Sequence, residues 1–149
     1  MRLEEEIKQK KFKDEYQKAV VNLIYTNNWL VAKHSPIMRK FGLTVQQYNI
    51  LRILRGQYPN PATVNLLKER MLDKMSDASR LVDRLLEKGL LMRKSCEIDR
   101  RRVDITITQE GLDILSKIDV AEEQMYKHLK NITLEEATIL NDLLDKLRG

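Results

Sequence analysis

Apolar residues recur along this chain at two periods. Between Met75 and Leu86 they fall at Met75, Ala78, Leu81, Val82, Leu85 and Leu86, the three-and-four spacing of one helix face, while Ser76, Asp77, Ser79, Arg80, Asp83 and Arg84 take the other faces. The spacing predicts a helix over about 75–88, ended by Gly89, which adopts a left-handed stop cheaply. Leu90, Leu91 and Met92 then open an extended run, the basic segment Arg93 to Arg102 interrupts it, and Val103, Ile105 and Ile107 alternate with Asp104, Thr106 and Thr108. That alternation predicts a half-buried strand. A helix followed at once by a two-stranded ribbon with an arginine-loaded tip has the shape of a DNA-reading winged helix.

The remaining pattern is helical. Leu3, Ile7, Tyr16, Ala19, Val20, Leu23, Ile24, Asn27, Leu30, Val31 and His34 keep helical spacing with no Gly or Pro before Pro36, so one long amphipathic helix is expected from Leu3 to about Ser35. A kink or break is expected at Pro36, with Ile37 to Phe41 continuing to a stop at Gly42. Thr44-Val45-Gln46-Gln47 is a capping box opening a helix with Val45, Tyr48, Leu51 and Leu54 inward and Gly56 at its end. Tyr58-Pro59-Asn60-Pro61 is a rigid connector, Ala62 to Val64 is a candidate third strand, and Val64 to Met71 is the short brace helix of a helix-turn-helix. After the ribbon, Thr108 caps a helix bearing Leu112, Leu115, Ile118, Ala121, Met125 and Leu129. A second capping box, Thr133 to Glu136, opens a last helix with Leu134, Ala137, Leu140, Leu143, Leu144 and Leu147.

The fold class expected is mainly α with a small β-wing (α+β), a winged helix-turn-helix with N- and C-terminal dimerisation helices. The chain reads as one unit over 1–149: dimerisation helices at 1–41 and 109–149, and the winged lobe at 43–108. The long first helix carries more apolar length than so small a domain covers, and the two last helices share a leucine-rich face. A second copy of the chain is the expected partner.

Charge sharpens this division. The net +5 is uneven: residues 1–67 carry +6, 68–102 carry +4 and 103–149 carry −5. The acidic last third therefore belongs away from DNA. A major groove about 12 Å wide accepts one helix, whose short or long-reaching side chains read its edges. Lys74, Ser76, Asp77, Ser79, Arg80 and Arg84 are the candidates on the helix. Asp77 suits the helix N-terminus and Asp83 suits a nearby arginine better than either suits a phosphate. In the wing, about 93–103, Lys94, Arg100, Arg101 and Arg102 fit the narrow, electronegative minor groove, with Asp99 as an anchor for an arginine. An ordinary solvated helix face would explain the first set taken alone; the adjoining basic ribbon favours DNA.

The segment SRLVDRLLEKGLL (Ser79 to Leu91) resembles the recognition helix and first wing strand of the MarR (multiple antibiotic resistance regulator) family. DRRRVDITITQEG (Asp99 to Gly111) is similar to that family's wing signature, Asp-x-Arg followed by an apolar strand and Thr-x-x-Gly. The turn between the two reading helices departs from the family, with Met71-Leu72-Asp73-Lys74 where many members carry a glycine. The resemblance implies a homodimeric, sequence-specific regulator of transcription, usually a repressor of a pseudo-palindromic operator released by a small molecule. It also implies an effector pocket, for an aromatic or phenolic compound, between the dimer helices and the lobe, with Trp29, His34, Tyr48 and Arg55 as candidate lining residues.

Other chemistry finds no support in the sequence. The glycines at 42, 56, 89, 111 and 149 are too scattered for a phosphate loop, and neither HExxH nor CxxC occurs, so no enzyme, cofactor or metal is expected. His34 and His128 stand alone and suit structural roles. One cysteine, Cys96, excludes an internal disulfide and reads as an inert thiol, with an oxidation switch as the minor alternative. No apolar run approaches the roughly 20 residues of a membrane span, and the charged start is unlike a secretory leader, so a cytoplasmic protein without membrane association is expected. Two rivals stay open: a winged helix that docks on protein, and an architectural DNA binder without sequence preference.

Overall fold

The computed structural model describes residues 1–95 and 103–149, apart from the side chains of Gln124, Met125, His128 and Leu129. The expectations for Cys96, Asp99, Arg100, Arg101 and Arg102 therefore lie outside the described residues, as do those for the side chains of Met125, His128 and Leu129.

The N-terminal region is not one helix. A single turn, α1 (Leu3–Glu6), is followed by irregular chain, with Lys8 at φ 53°, and then α2 (Glu15–Lys40). Lys8, Lys10, Lys11 and Lys13 would stack like charges three residues apart on a continuous helix, which opposes it. Asp14 then competes for the cap position, its carboxylate accepting from the Gln17 amide at 2.7 Å. The turn folds back on α2 through the Lys18–Glu4 ion pair and the Tyr25 hydroxyl, which donates to Glu6 at 2.8 Å. The break expected at Pro36 is also absent, since α2 runs through it to Lys40. Pro36 removes one helical hydrogen bond, and the last turn is held by packing instead, with Met38 fully buried.

The winged lobe comprises α3 (Val45–Gln57), α4 (Val64–Arg70), α5 (Ala78–Glu87) and a ribbon of β1 (Leu91–Ser95) and β2 (Val103–Ile107). Both halves of the capping box form at Thr44 and Gln47, and α3 runs one residue past Gly56. The expected third strand shrinks to a single bridge: Ala62 exchanges two 2.9 Å hydrogen bonds with Ile105. Pro61 has no amide to extend it and Thr63 is already committed to capping α4, so pairing stops there. The ribbon is antiparallel, from Leu91 opposite Ile107 to Ser95 opposite Val103.

One knot joins α5, the ribbon and the helix after it. At the end of α5 the Gly89 amide donates to Leu86 and the Leu90 amide to Leu85, with Gly89 at φ +71°. The Thr108 hydroxyl donates to the Gly89 carbonyl at 2.8 Å and accepts from the Gly111 amide at 3.1 Å, so it caps α6 (Gln109–Tyr126) while tying it to the end of α5. A Cβ at Gly111 would lie 2.6 Å from the Leu90 carbonyl oxygen and 2.6 Å from Ile107, which is why this position is glycine. After α6 come a 3-10 turn (Lys127–Asn131) and α7 (Leu134–Arg148), opened by the Thr133–Glu136 capping box.

Among the described residues one apolar core runs through the lobe and beyond it. Ile50, Leu51, Leu54, Leu67, Val82, Leu85 and Ile105 meet Met38 from α2 and Leu115 and Ile118 from α6, all essentially inaccessible. The terminal helices are different: α7 buries no residue, and Leu140, Leu143 and Leu147 face an open groove shared with Leu23 and Leu30 of α2.

Candidate nucleic-acid interface

Between α4 and α5 the chain makes a turn organised by Asp73. Its carboxylate accepts from the Met75 amide at 3.0 Å and from the Ser76 hydroxyl at 2.7 Å, and these bonds hold its pKa below the usual carboxylate value, the hydroxyl contributing most. Asn49 of α3 accepts from the Leu72 amide at 2.9 Å, so the turn is anchored at both ends. Asp77 caps α5, its carboxylate accepting from the Arg80 amide at 3.1 Å. The reading helix therefore begins at Ala78 rather than near Met75. Met75, expected on the inward stripe, is 94% exposed.

The candidate residues divide accordingly. Lys74 donates its ammonium to the Glu69 carbonyl, Ser76 is bound to Asp73, and Asp77 is the cap. Ser79, Arg80, Asp83 and Arg84 lie exposed on α5, opposite the buried Ala78, Val82 and Leu85. Arg84 pairs with Glu87 at 3.1 Å, and Asp83 accepts from Arg93 of β1 at 2.8 Å, bracing ribbon against helix. Both pairs are solvent-exposed and so worth little, which lets either arginine exchange its partner for a phosphate. Lys94 projects from β1 as an exposed residue and is engaged within the chain. Asp73 escaped the sequence reading, although an Asp three residues before a Ser between two helices is a recognisable turn signal.

A second cluster joins α2, α3 and α6. The buried Tyr48 hydroxyl donates to Glu122 at 2.7 Å, and the other Glu122 oxygen lies 3.4 Å from Nε2 of His34 without hydrogen-bonding geometry. Burial, then Glu122, pushes the Tyr48 phenol far above the usual tyrosine value, and the same two causes raise Tyr126. One turn earlier on α6, Asp119 accepts two hydrogen bonds from Arg55, at 2.6 and 3.1 Å, and stabilises the guanidinium charge. Three of the four candidate pocket residues, His34, Tyr48 and Arg55, thus converge on α6. Trp29 does not join them: it borders a separate recess with Met1, Leu3 and Tyr25, and Lys33 lies 5.8 Å from its ring. Glu122 and Asp119 were missed because an acidic tail reads as solvated. Glu122 falls four residues after Ile118 and seven after Leu115, on the buried stripe, and that spacing is the signal.

Comparison with known proteins places the lobe in a family. A sequence profile of the MarR family matches residues 43–103, the span from the start of α3 to the ribbon. A solved MarR transcription factor from Planctomyces limnophilus is 29% identical and superposes with a TM-score of 0.68, over 91% of this chain and 98% of that one. Residues 43–103 form a MarR-family lobe. The chain is also 26% identical to the transcriptional regulator FarR of Neisseria gonorrhoeae over 128 residues, 85% of this chain and 86% of FarR. The organohalide-sensing regulator RdhR, solved with 2,4-dichlorophenol bound, shares the fold at a TM-score of 0.80 and 19% identity, over 94% of this chain and 85% of RdhR. The protein is accordingly a DNA-binding transcriptional regulator with a winged helix-turn-helix, and not an enzyme. Among the described residues no group of side chains could hold a metal ion, and no helix is long and apolar enough to cross a membrane.

Proposed function

We propose that this regulator is a homodimeric, ligand-released repressor that reads a pseudo-palindromic operator, with one α5 in each half-site. The observation that carries the reading is the uncovered apolar face: a 15-residue helix with no buried residue, beside an equally exposed stripe of α2, needs a second surface of the same kind. Dimerisation of residues 1–41 and 109–149 through α2, α6 and α7 supplies it, and sets two lobes, 43–108, about one helical turn apart on DNA. Ser79, Arg80 and Arg84 then face base edges and neighbouring phosphates, with Lys94, Asp99, Arg100, Arg101 and Arg102 at the flanking minor groove. The work is cytoplasmic, where the DNA is.

Release by an aromatic or phenolic effector is supported by the cluster at the α2–α3–α6 junction, where His34, Tyr48 and Arg55 adjoin Glu122 and Asp119. A ligand that repacks this junction changes the angle between lobe and terminal helices, and so the spacing of the two reading heads. The likeness in fold to RdhR, solved with a chlorophenol, points the same way.

The test is sedimentation together with a gel shift on the intergenic DNA beside the gene, at two salt concentrations, with and without 2,4-dichlorophenol and aromatic acids. The expected result is a dimer at micromolar concentration whose DNA affinity falls steeply with salt, with a slope flattened in the Arg100→Ala, Arg101→Ala double variant. A monomer that ignores duplex DNA in dilute buffer overturns the reading; unchanged DNA binding and melting temperature across the compounds overturns the effector.

A further inference from the structure

We infer that Met75 reads thymine: its side chain is a sensor for the 5-methyl group in the major groove, and part of the operator's sequence preference resides there. The inference rests on the DNA-reading role of α5 described above and adds a residue to it.

Two observations place Met75 apart from an ordinary surface methionine. It stands two residues before Asp77, the cap of α5, at the end of the helix that winged and related helix-turn-helix proteins direct toward base edges. It is also the most exposed large apolar side chain in the described residues, at 94%, and Leu72 in the same turn is 84% exposed. The turn that displays them is anchored: Asp73 holds the Met75 amide and the Ser76 hydroxyl, and Asn49 holds the Leu72 amide. An apolar side chain kept in water by a hydrogen-bonded backbone gains nothing from the monomer's own fold.

The polar neighbours are already committed, which narrows what this turn can offer DNA. The Lys74 ammonium is donated to the Glu69 carbonyl and the Ser76 hydroxyl to Asp73. The turn therefore projects thioether and hydrocarbon. In the major groove only the thymine methyl presents an apolar surface, and apolar side chains recognise it by contact. Burying one methyl group corresponds to an affinity change of about fourfold.

The experiment starts with the purified full-length chain and selection of its preferred site from a random duplex library. Each thymine of the selected half-site is then replaced singly by deoxyuridine, which deletes only the methyl, and binding is measured for the wild type, Met75→Ala and Leu72→Ala. The expected result is about a fourfold loss at one thymine position with the wild type, and equal affinity for thymine and uracil at that position with Met75→Ala. Circular dichroism and melting of Met75→Ala should match the wild type, since the side chain packs against nothing. Uracil tolerated at every position by a wild type that still binds its site tightly overturns the inference and leaves the DNA-reading role standing. A uracil penalty of the same size in Met75→Ala, or one abolished only in Leu72→Ala, overturns the assignment to Met75. Failure to select any sequence overturns the operator reading, and this inference with it.

Discussion

In the winged lobe, α3, α4, α5 and the ribbon close around Ile50, Leu51, Leu54, Val82 and Leu85, and every one of those side chains is out of water. At the other end, α7 carries five leucines in 15 residues and a complete capping box, yet Leu134, Leu140, Leu143 and Leu147 remain between 47% and 82% exposed. The two regions differ in where their covering surface comes from, not in how apolar they are. The lobe carries its own lid, whereas in the proposed dimer the terminal helices present half of an interface. Destabilising changes should therefore act on folding in the first region and on association in the second.

The largest contrast comes from paired substitutions. Leu85→Ala in the lobe should lower unfolding stability by about 2–5 kcal/mol in a urea titration. Leu143→Asp on α7 should leave the lobe folded, produce monomers in sedimentation, and weaken operator binding at least about a hundredfold by uncoupling the half-sites. A Leu143→Asp variant that remains dimeric would erase the distinction.

Smaller effects test the seam between the regions. Gly111→Ala sets a Cβ against the Leu90 carbonyl and Ile107, and should cost about 1–3 kcal/mol in the same titration. Glu122→Ala strands the buried Tyr48 hydroxyl and should cost about 1–3 kcal/mol. The same bond carries a pH signature. Because the folded Tyr48 phenol holds its proton above the unfolded value of about 10, its contribution is complete below that pH and is lost above it. Wild type should therefore lose more stability than Tyr48→Phe between about pH 9 and pH 11.5, as followed by chemical denaturation. The smallest effect belongs to the exposed brace: Arg93→Ala should change stability by less than about 1 kcal/mol.

Much of the lobe was legible in the chain because short-range chemistry and long-range packing agree there. The capping box at Thr44, the alternation of Val103, Ile105 and Ile107, and the stop at Gly89 each name one local geometry, and the core endorses it. The N-terminus was misread because the periodicity of Ile7 and Tyr16 says nothing of the repulsion among Lys8, Lys10, Lys11 and Lys13. Met75 was misread for a related reason, since its place in the helical stripe was correct arithmetic that the side chain of Asp73 overrode. At the junction, His34, Tyr48 and Arg55 stood out by residue type, but their partners sit more than sixty residues away from Tyr48 and Arg55 in the chain, a separation at which pattern is silent.

The hydroxyl of Thr108 touches both the last carbonyl after the reading helix and the first turn of α6, and glycine lets α6 rest directly on the backbone there. The lobe is thus welded to its neighbouring rod at the hilt. Any tilt of that rod, whatever pushes it, swings helix and ribbon together like a blade and its guard, so the two parts proposed to meet DNA cannot be aimed separately.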